Sequence, residues 1–318
     1  MRATLERGWA VSGARGRRRV GAARRGGRGR KRARSALIYV LAVVVAVETL
    51  APFAWMVISS ISTQAELISV PPHWIPEEPT LATYTALLSG SAINYRGTGE
   101  VSAPIAAFGR ALLNSFIIAA ATTILCLVLG TLAAFAFARL RFRFKSSLYF
   151  LILAVQMIPS ISLVVPLYLL LQRLNLLDSY LGMTLVYSTF TVAFVIWVMA
   201  GYLLSIPREL EDAARIDGCT RFQSLWQIVL PLTTPGLIAT GALAFLTAWN
   251  EFLFALLFTN TLSAKTLPVV ISEFSTQFSL EYGLMMTGGV LASLPPVLLA
   301  IAFQRHILAG LTAGGVKG

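Results

Sequence analysis

The sequence is poor in charge and in metal-binding side chains. Only 13% of its 318 residues are Asp, Glu, Lys or Arg, about half of the share that is usual in soluble proteins. Its two cysteines, Cys126 and Cys219, and its two histidines, His73 and His306, lie far apart in the chain. They form neither a disulfide framework nor a metal-ligand spacing. The low share of charged residues argues against a soluble basic domain. The missing ligand spacing argues against a metal centre.

The net charge of +12 comes from one tail. Residues 1–34 contain 13 Lys and Arg and one acid, Glu6, whereas residues 35–318 contain 13 basic and 13 acidic residues. The tail is rich in Arg and Gly without apolar periodicity, which predicts a disordered segment over 1–35. We interpret it as a topology signal that rests on anionic lipid headgroups. The alternatives are an RNA-binding arm, for which Trp9 is the only stacking aromatic, and a start codon placed too early.

Long apolar runs predict an all-α polytopic membrane protein, because a helix needs about 20 apolar residues to cross a bilayer. Prolines inside the runs, such as Pro159, suggest kinks. The six predicted transmembrane helices cover residues 36–58, 112–138, 148–171, 181–204, 236–258 and 283–303.

The distribution of Lys and Arg predicts the orientation of these helices. The tail, the 139–145 loop, the 205–235 loop and the C-terminal end together hold 22 of the 26 basic residues. The positive-inside rule therefore predicts that both termini are cytoplasmic in a multi-pass protein of the cell membrane.

On the other side, residues 59–111 and 260–282 are either docking surfaces or simple loops. Thr80 is expected to be the N-cap of a short helix that ends near Leu88.

The 205–235 loop begins with the pattern of a short acidic helix. Pro207 suits a first helical position, and acidic residues follow where the helix dipole favours negative charge. Gly218 is expected to take a positive φ where this helix ends. The residues expected on one face, open to another surface, are Leu210, Ala213 and Ala214.

A second helix is predicted to follow immediately. Thr220 and Gln223 form a capping box, and Pro231 is expected to end the helix. The pattern of the second helix is also typical of an amphipathic helix that lies on the bilayer. The first helix does not fit that interpretation, because its acidic residues would face anionic lipid. A docking element is therefore the better interpretation of the loop. The expected apolar stripe consists of Phe222, Leu225, Trp226 and Val229.

The loop resembles the signature of permease subunits of binding-protein-dependent ABC importers, which reads Glu-Ala-Ala, three residues, Gly, nine residues, Ile-x-Leu-Pro. Here Asp212-Ala213-Ala214, Gly218 and 228–231 keep the spacing, with Asp in place of Glu. The C-terminal segment 310–318 is similar to that of sugar importers of the maltose-transporter type. Other segments similar to that branch are 52–56, 80–84, 114–115, 157–159 and 249–252.

The resemblance implies an ABC importer permease fold over residues 36–318 and a permease subunit for carbohydrate. The implied partners are a second permease subunit in a heterodimer, two cytoplasmic ATPases, an extracytoplasmic sugar-binding protein and the lipid bilayer, with no nucleic acid. The implied ATPase-coupling residues are Glu211, Asp212, Ala213, Ala214, Asp217, Gly218, Ile228, Leu230 and Pro231. In the C-terminal tail, the implied ATPase contacts are Gly310, Thr312, Gly314, Gly315, Lys317 and Gly318.

The chain itself has no P-loop. Of its lysines only Lys145 and Lys265 precede Ser or Thr, and they follow Phe144 and Ala264 where a P-loop requires Gly. We therefore expect no cofactor in this chain and expect ATP to bind the partner ATPase. The predicted spans also lack a catalytic constellation, so we expect no enzyme.

Glu48 and Glu251 are the only charges within the predicted spans. Trp249, Asn250 and Glu251 offer an aromatic face and hydrogen bonds to a sugar, and are candidates for the translocation path. The slightly favoured alternative pairs Glu251 with the second permease subunit. A different class, an ion-coupled secondary transporter with proton sites at Glu48 and Glu251, would show internal repeats, which are not evident.

Overall fold

The computed structural model describes residues 23–71, 73–91, 102–275 and 281–313. Short stretches of 3₁₀ helix (Ser160–Leu163) and π helix (Leu225–Val229) interrupt the α-helical structure. The α-helices within these ranges are α1 (Ala23–Ser60), α2 (Gln64–Leu67), α3 (Ala82–Ser89), α4 (Ala103–Arg139), α5 (Lys145–Val155), α6 (Val164–Arg173), α7 (Tyr180–Ser205), α8 (Glu209–Ile216), α9 (Arg221–Ser224), α10 (Leu230–Trp249), α11 (Leu253–Phe258), α12 (Leu267–Ser272) and α13 (Tyr282–Ala313).

The membrane-spanning character of the chain is confirmed. Within the described residues five helices are long and apolar enough to cross a bilayer, and a bent pair gives a sixth span. The protein is therefore an all-α, multi-pass membrane protein. The five long spans are Arg34–Ser60, Ala103–Arg139, Tyr180–Ser205, Arg221–Trp249 and Tyr282–Arg305.

The third predicted span is broken in the middle. Helix α5 ends at Val155, and the helix that resumes at Ser160 is bent by 94° from it. Pro159 causes the break locally, because it has no N–H to donate and it disfavours helical geometry at the preceding residue. The 11 residues of α5 rise about 16 Å, so α5 alone is too short to cross a hydrocarbon core of about 30 Å.

Among the described residues, those from Ala23 to Trp55 form one unit, and those from Met56 onward form a second one. In the first unit helix α1 begins at Ala23, so the disorder predicted for the tail is wrong for residues 23–35. Ala, Arg and Lys are good helix formers, and extending an existing helix costs less than nucleating a new one. The rest of the tail, residues 1–22, lies outside the described residues.

Small residues bring the helices of the second unit close together. A Cβ atom on Gly130 of α4 would lie 2.6 Å from Cγ1 of Val195 on α7. A Cβ atom on Gly236 of α10 would lie 2.6 Å from the ring of Tyr202, also on α7. Such small residues allow close helix packing in membranes. Helix α7 therefore packs directly against both α4 and α10.

A polar cluster fastens α4 to the segment before α12. The side-chain amide of Asn114 donates to the carbonyl oxygen of Lys265 at 2.8 Å and accepts from the Tyr180 hydroxyl at 2.7 Å. The hydroxyl of Ser115 accepts from the backbone N–H of Leu267 at 2.7 Å. These bonds lie far from Arg139, at the opposite end of the helix bundle.

Helix α3 lies at this opposite end and begins two residues after Thr80. Its N-cap is Leu81 and not Thr80 as predicted, although the Thr80 hydroxyl accepts from the backbone N–H of Ala82 at 3.2 Å. The buried Thr83 hydroxyl donates to the carbonyl oxygen of Ser60 at 3.1 Å. The segment that follows the first span is thus attached to the bundle.

Candidate functional site

Helix α8 and its turn have the predicted form. Helix α8 covers Glu209–Ile216, has three acids in its first turn and ends with Asp217 as the C-cap. The next residue, Gly218, has a φ of +92°, which confirms the positive φ predicted for it. Glycine suits this turn because it has no Cβ atom to clash at positive φ.

The second helix of the loop begins as predicted and ends elsewhere. The Thr220 hydroxyl accepts from the backbone N–H of Gln223 at 3.2 Å, and the Gln223 side chain accepts from that of Thr220 at 2.8 Å. This capping box is confirmed. The prediction that Pro231 ends the helix is wrong, because α9 continues through a π turn into α10. In that wider turn Leu230 donates to the carbonyl oxygen of Leu225, so the helical path tolerates the missing N–H of proline.

The outer surface of α8 is mostly charged, and its exposed large apolar side chains are Leu210, which is 44% exposed, and Ile216. Asp212, Ala213 and Asp217 are exposed, and Ile216 is 86% exposed. Ala214 is only 5% exposed, so the prediction that it shares an open face with Ala213 is wrong. We call the exposed set Asp212, Ala213, Ile216 and Asp217 the α8 ridge.

Glu211 is not part of the α8 ridge. Its carboxylate accepts from Nε of Arg139, the last residue of α4, at 2.5 Å, and the two side chains are 14% and 6% exposed. The carboxylate of Glu211 is thus engaged within its own chain, and its contact with the ATPase stays a prediction.

The predicted apolar stripe of the second helix divides between two faces. Leu225 and Val229 are buried in the helix bundle, whereas Phe222 and Trp226 are 61% and 57% exposed. The two exposed rings contact each other edge to face, with centroids 6.0 Å apart. Of the signature residues in this part of the loop, Ile228 and Leu230 are half-buried and Pro231 is exposed.

Two residues of this site were missed by sequence reasoning. Arg139 precedes Glu211 by 72 positions, and no local pattern relates them. Ile216 stands alone between Arg215 and Asp217, where an isolated apolar residue gives no periodic signal.

The C-terminal residues predicted to contact the ATPase are only partly described. Gly310 and Thr312 lie in the last turns of α13, which reaches Ala313. The remaining four, Gly314, Gly315, Lys317 and Gly318, lie outside the described residues.

The candidate path residues lie at a second break in a span. Helix α10 ends at Trp249 and α11 begins at Leu253, so the predicted span 236–258 is discontinuous. Trp249 is 3% exposed, and its indole N–H donates to the carbonyl oxygen of Ala292 at 3.1 Å. It is a core residue within this chain and offers no free ring face here. Asn250 is exposed, and its amide donates to the carbonyl oxygen of Leu246 at 2.9 Å.

Glu251 has a structural partner in its own chain. Its carboxylate accepts from the backbone N–H groups of Phe254 at 2.9 Å and Ala255 at 3.2 Å, at the start of α11. These N–H groups have no partner within the helix, and an acidic side chain at this end is favourable. Glu251 therefore supports α11, and the proton-site hypothesis for a secondary transporter has no support.

No group of three or more His, Cys, Asp or Glu that could hold a metal ion occurs in the described part of the chain.

Comparisons with known proteins agree with this geometry. A family model described as "Binding-protein-dependent transport system inner membrane component" matches residues 126–312, which include the whole 205–235 loop. The chain is 36% identical over 282 residues to the sulfoquinovosyl glycerol transport system permease protein SmoH of Agrobacterium fabrum, covering 89% of this chain and 94% of that protein. It is 33% identical over 283 residues to the trehalose/maltose transport system permease protein MalG of Thermococcus litoralis, covering 89% and 96%.

Solved structures show the same fold. A bacterial ABC transporter involved in the import of the acidic polysaccharide alginate matches with a TM-score of 0.71 at 20% identity, over 86% of this chain and 96% of that one. The family match covers more than half of the chain, and the permease relatives cover nearly nine tenths of it. The chain therefore belongs to the family of inner membrane components of binding-protein-dependent transport systems.

Proposed function

We propose that this chain is the transmembrane permease subunit of an ATP-driven carbohydrate importer, and that the α8 ridge docks onto a separate cytoplasmic ATPase. The observation that carries this proposal is the α8 ridge itself, which lies within the part of the chain that the family model matches. Its exposed carboxylates complement a basic rim, and burial of an Ile side chain such as Ile216 contributes about 1.5–3 kcal/mol. A partner with a basic, partly apolar cleft fits both features.

The α8 ridge lies at the end of the bundle with the most basic loops. Arg139 lies at the end of α4 and contacts α8 directly, so the 139–145 and 205–235 loops share that end. Both loops belong to the face on which the excess of Lys and Arg is concentrated. By the positive-inside rule this end is cytoplasmic, where ATP is present. ATP binds the partner in this proposal, and this chain holds no cofactor.

The remaining parts of the proposal concern the partners and the substrate. The family description names a binding-protein-dependent system, and the relatives named above belong to transport systems for trehalose/maltose and a sulfoquinovosyl compound. These support a sugar or sugar conjugate as substrate and an extracytoplasmic binding protein that delivers it. A second permease subunit, in a heterodimer, and two ATPases complete the proposed assembly.

The two broken spans support a translocation path through the membrane. Gln156 lies in the break after α5 and Asn250 in the break after α10, and both side chains are exposed within this chain. Polar side chains and irregular backbone are costly in lipid, and they occur where they line a cavity or face another subunit. We therefore assign these two positions to the path, beside Glu251.

Co-purification tests the proposal directly. The tagged wild-type chain, solubilised from its native membrane, should bring with it a P-loop ATPase and a second permease, identified by mass spectrometry. Asp212→Lys reverses a charge on the α8 ridge and should lower ATPase recovery at moderate salt at least fivefold, by about 1 kcal/mol or more. The matched control is Glu78→Lys, the same reversal at an exposed carboxylate of the opposite end. Equal ATPase recovery from both variants would contradict the docking role.

A further inference from the structure

We infer that Arg139 and Glu211 are positioning residues that clamp helix α8 to the end of α4, so that α4 moves with α8. This inference rests on the proposed function of the α8 ridge. The ion pair joins Nε of Arg139 to Oε1 of Glu211, and Nη2 of the same guanidinium donates to the carbonyl oxygen of Ile206 at 2.9 Å. One planar side chain thus binds α8 and the chain segment that leads into it.

A second arginine strengthens this attachment. Nη2 of Arg208, immediately before α8, donates to the carbonyl oxygen of Ala138 at 3.1 Å. The last carbonyl groups of a helix have no partner within it, and cations are favourable at this end. We call the Arg139–Glu211 ion pair together with the Arg139–Ile206 and Arg208–Ala138 hydrogen bonds the α4–α8 clamp.

The burial of the ion pair makes the clamp resistant to opening. The side chains of Arg139 and Glu211 are 6% and 14% exposed, so separating them would leave an uncompensated charge away from water, which is strongly unfavourable. The Asp212–Arg215 pair on the same helix differs, with a 3.9 Å separation and side chains that are 69% and 53% exposed. Exposed pairs of that kind contribute little. Of these two ion pairs, the buried one is the pair that holds α8 in place.

Helix α4 connects the clamp to the other end of the bundle. It runs without interruption for 37 residues, about 55 Å at 1.5 Å per residue. Toward its other end, Asn114 and Ser115 bind the backbone of Leu262, Lys265 and Leu267. Helices α5 and α10, in contrast, stop at breaks within their spans. A displacement of α8 is therefore passed along α4 to residues 262–267.

The first test needs only the purified chain. Glu211→Gln should speed amide hydrogen exchange in α8 at least tenfold, because coupling energies of contacting residues reach that range. The matched control is Glu209→Gln, which removes an exposed carboxylate of the same helix and should leave the rates within about twofold. Arg139→Lys keeps the charge but loses the fork that binds two acceptors, and should also speed exchange. Wild-type exchange in Glu211→Gln would overturn the inference.

The second test uses the complex with the ATPase that co-purifies. Addition of ATP and vanadate should change the exchange of residues 262–267 in the wild type, and Glu211→Gln should reduce that change at least fivefold while the ATPase stays bound. A role in folding alone would lower the yield of complex and leave the ATP-induced change intact. That result, or an unchanged wild type, would overturn the inference. Failure of the proposed function is recognised separately, by ATPase recovery that is insensitive to Asp212→Lys.

Discussion

Substitutions at Gly218 isolate the contribution that backbone geometry at the turn after α8 makes to docking of the ATPase. Its φ is +92°, and a Cβ atom built on it would have no neighbour within 4 Å. Side-chain size therefore has no effect within this chain, and any loss comes from the strain of a residue at positive φ. That strain is about 1–2 kcal/mol for an ordinary residue and is larger for a β-branched one, whereas Asn tolerates this region.

The affinity for the ATPase is expected to decrease in the order wild type, Gly218→Asn, Gly218→Ala and Gly218→Val. A variant that is not bound to the ATPase relieves the strain by distorting the turn. Docking must restore the turn, so the strain energy is subtracted from the binding free energy. One to two kcal/mol corresponds to a factor of about 5–30 in the equilibrium constant, which is the loss of affinity expected for Gly218→Ala.

Affinity is measured by titrating the co-purifying ATPase onto chain variants in lipid nanodiscs. The thermal unfolding midpoint of each variant serves as the control for global folding. If Gly218→Asn binds as weakly as Gly218→Val, the glycine is required for close approach of the partner and the strain argument fails. If Gly218→Val binds as tightly as the wild type, docking does not need the positive φ.

Two further predictions concern packing and acid sensitivity. Gly236→Ala should destabilise the solubilised chain by about 1–3 kcal/mol in thermal unfolding, because its Cβ atom would overlap the Tyr202 ring, whereas Gly201→Ala, with no neighbour within 4 Å, should not destabilise it. Backbone N–H groups of Thr63 and Glu78 lower the pKa of Glu66 to about 2. A lowered folded-state pKa stabilises the folded form above pH 4.5, and this is lost as the pH falls toward 2. Intrinsic-rate-corrected amide exchange of residues 63–69 should therefore rise over that interval in the wild type and not in Glu66→Gln; equal pH profiles would contradict this.

Features that depend on neighbouring residues could be predicted from the sequence. The capping box of Thr220 and Gln223 and the turn at Gly218 are confirmed because each depends on residues three or four positions apart at most. The apolar runs likewise predict where spans occur, since span length follows from bilayer thickness. Helix α8 could be located because its acidic first turn and the glycine after it are also local signals.

Features that depend on distant contacts could not be predicted. Ala213 and Ala214 are equivalent in the sequence pattern, and only the folded structure decides that Ala213 is exposed and Ala214 is buried. The partner of Glu211 lies 72 positions earlier. The π turn before Pro231 depends on how α9 and α10 join, and propensity alone does not encode it.

The break at residues 250–252 has a local signal in the sequence. Glu251 precedes Phe254 by three positions, the spacing at which an acidic side chain accepts from an N–H group at a helix start. The long apolar run around Glu251 nevertheless predicts a continuous span over residues 236–258. For an acidic residue in such a run, the start of a new helix is therefore an explanation to weigh beside a functional site.

Site-directed cross-linking from the tip of the α8 ridge tests the central claim most directly. The probe is Ile216→Cys in a chain that also carries Cys219→Ser, labelled with a photoactivatable maleimide, since Cys126 is buried. The control is Val70→Cys in the same background, at a residue 94% exposed at the opposite end of the bundle. The account predicts a cross-link to the ATPase from position 216 and none from position 70. A cross-link from position 70, or none from 216 in a complex that retains its ATPase, would contradict it.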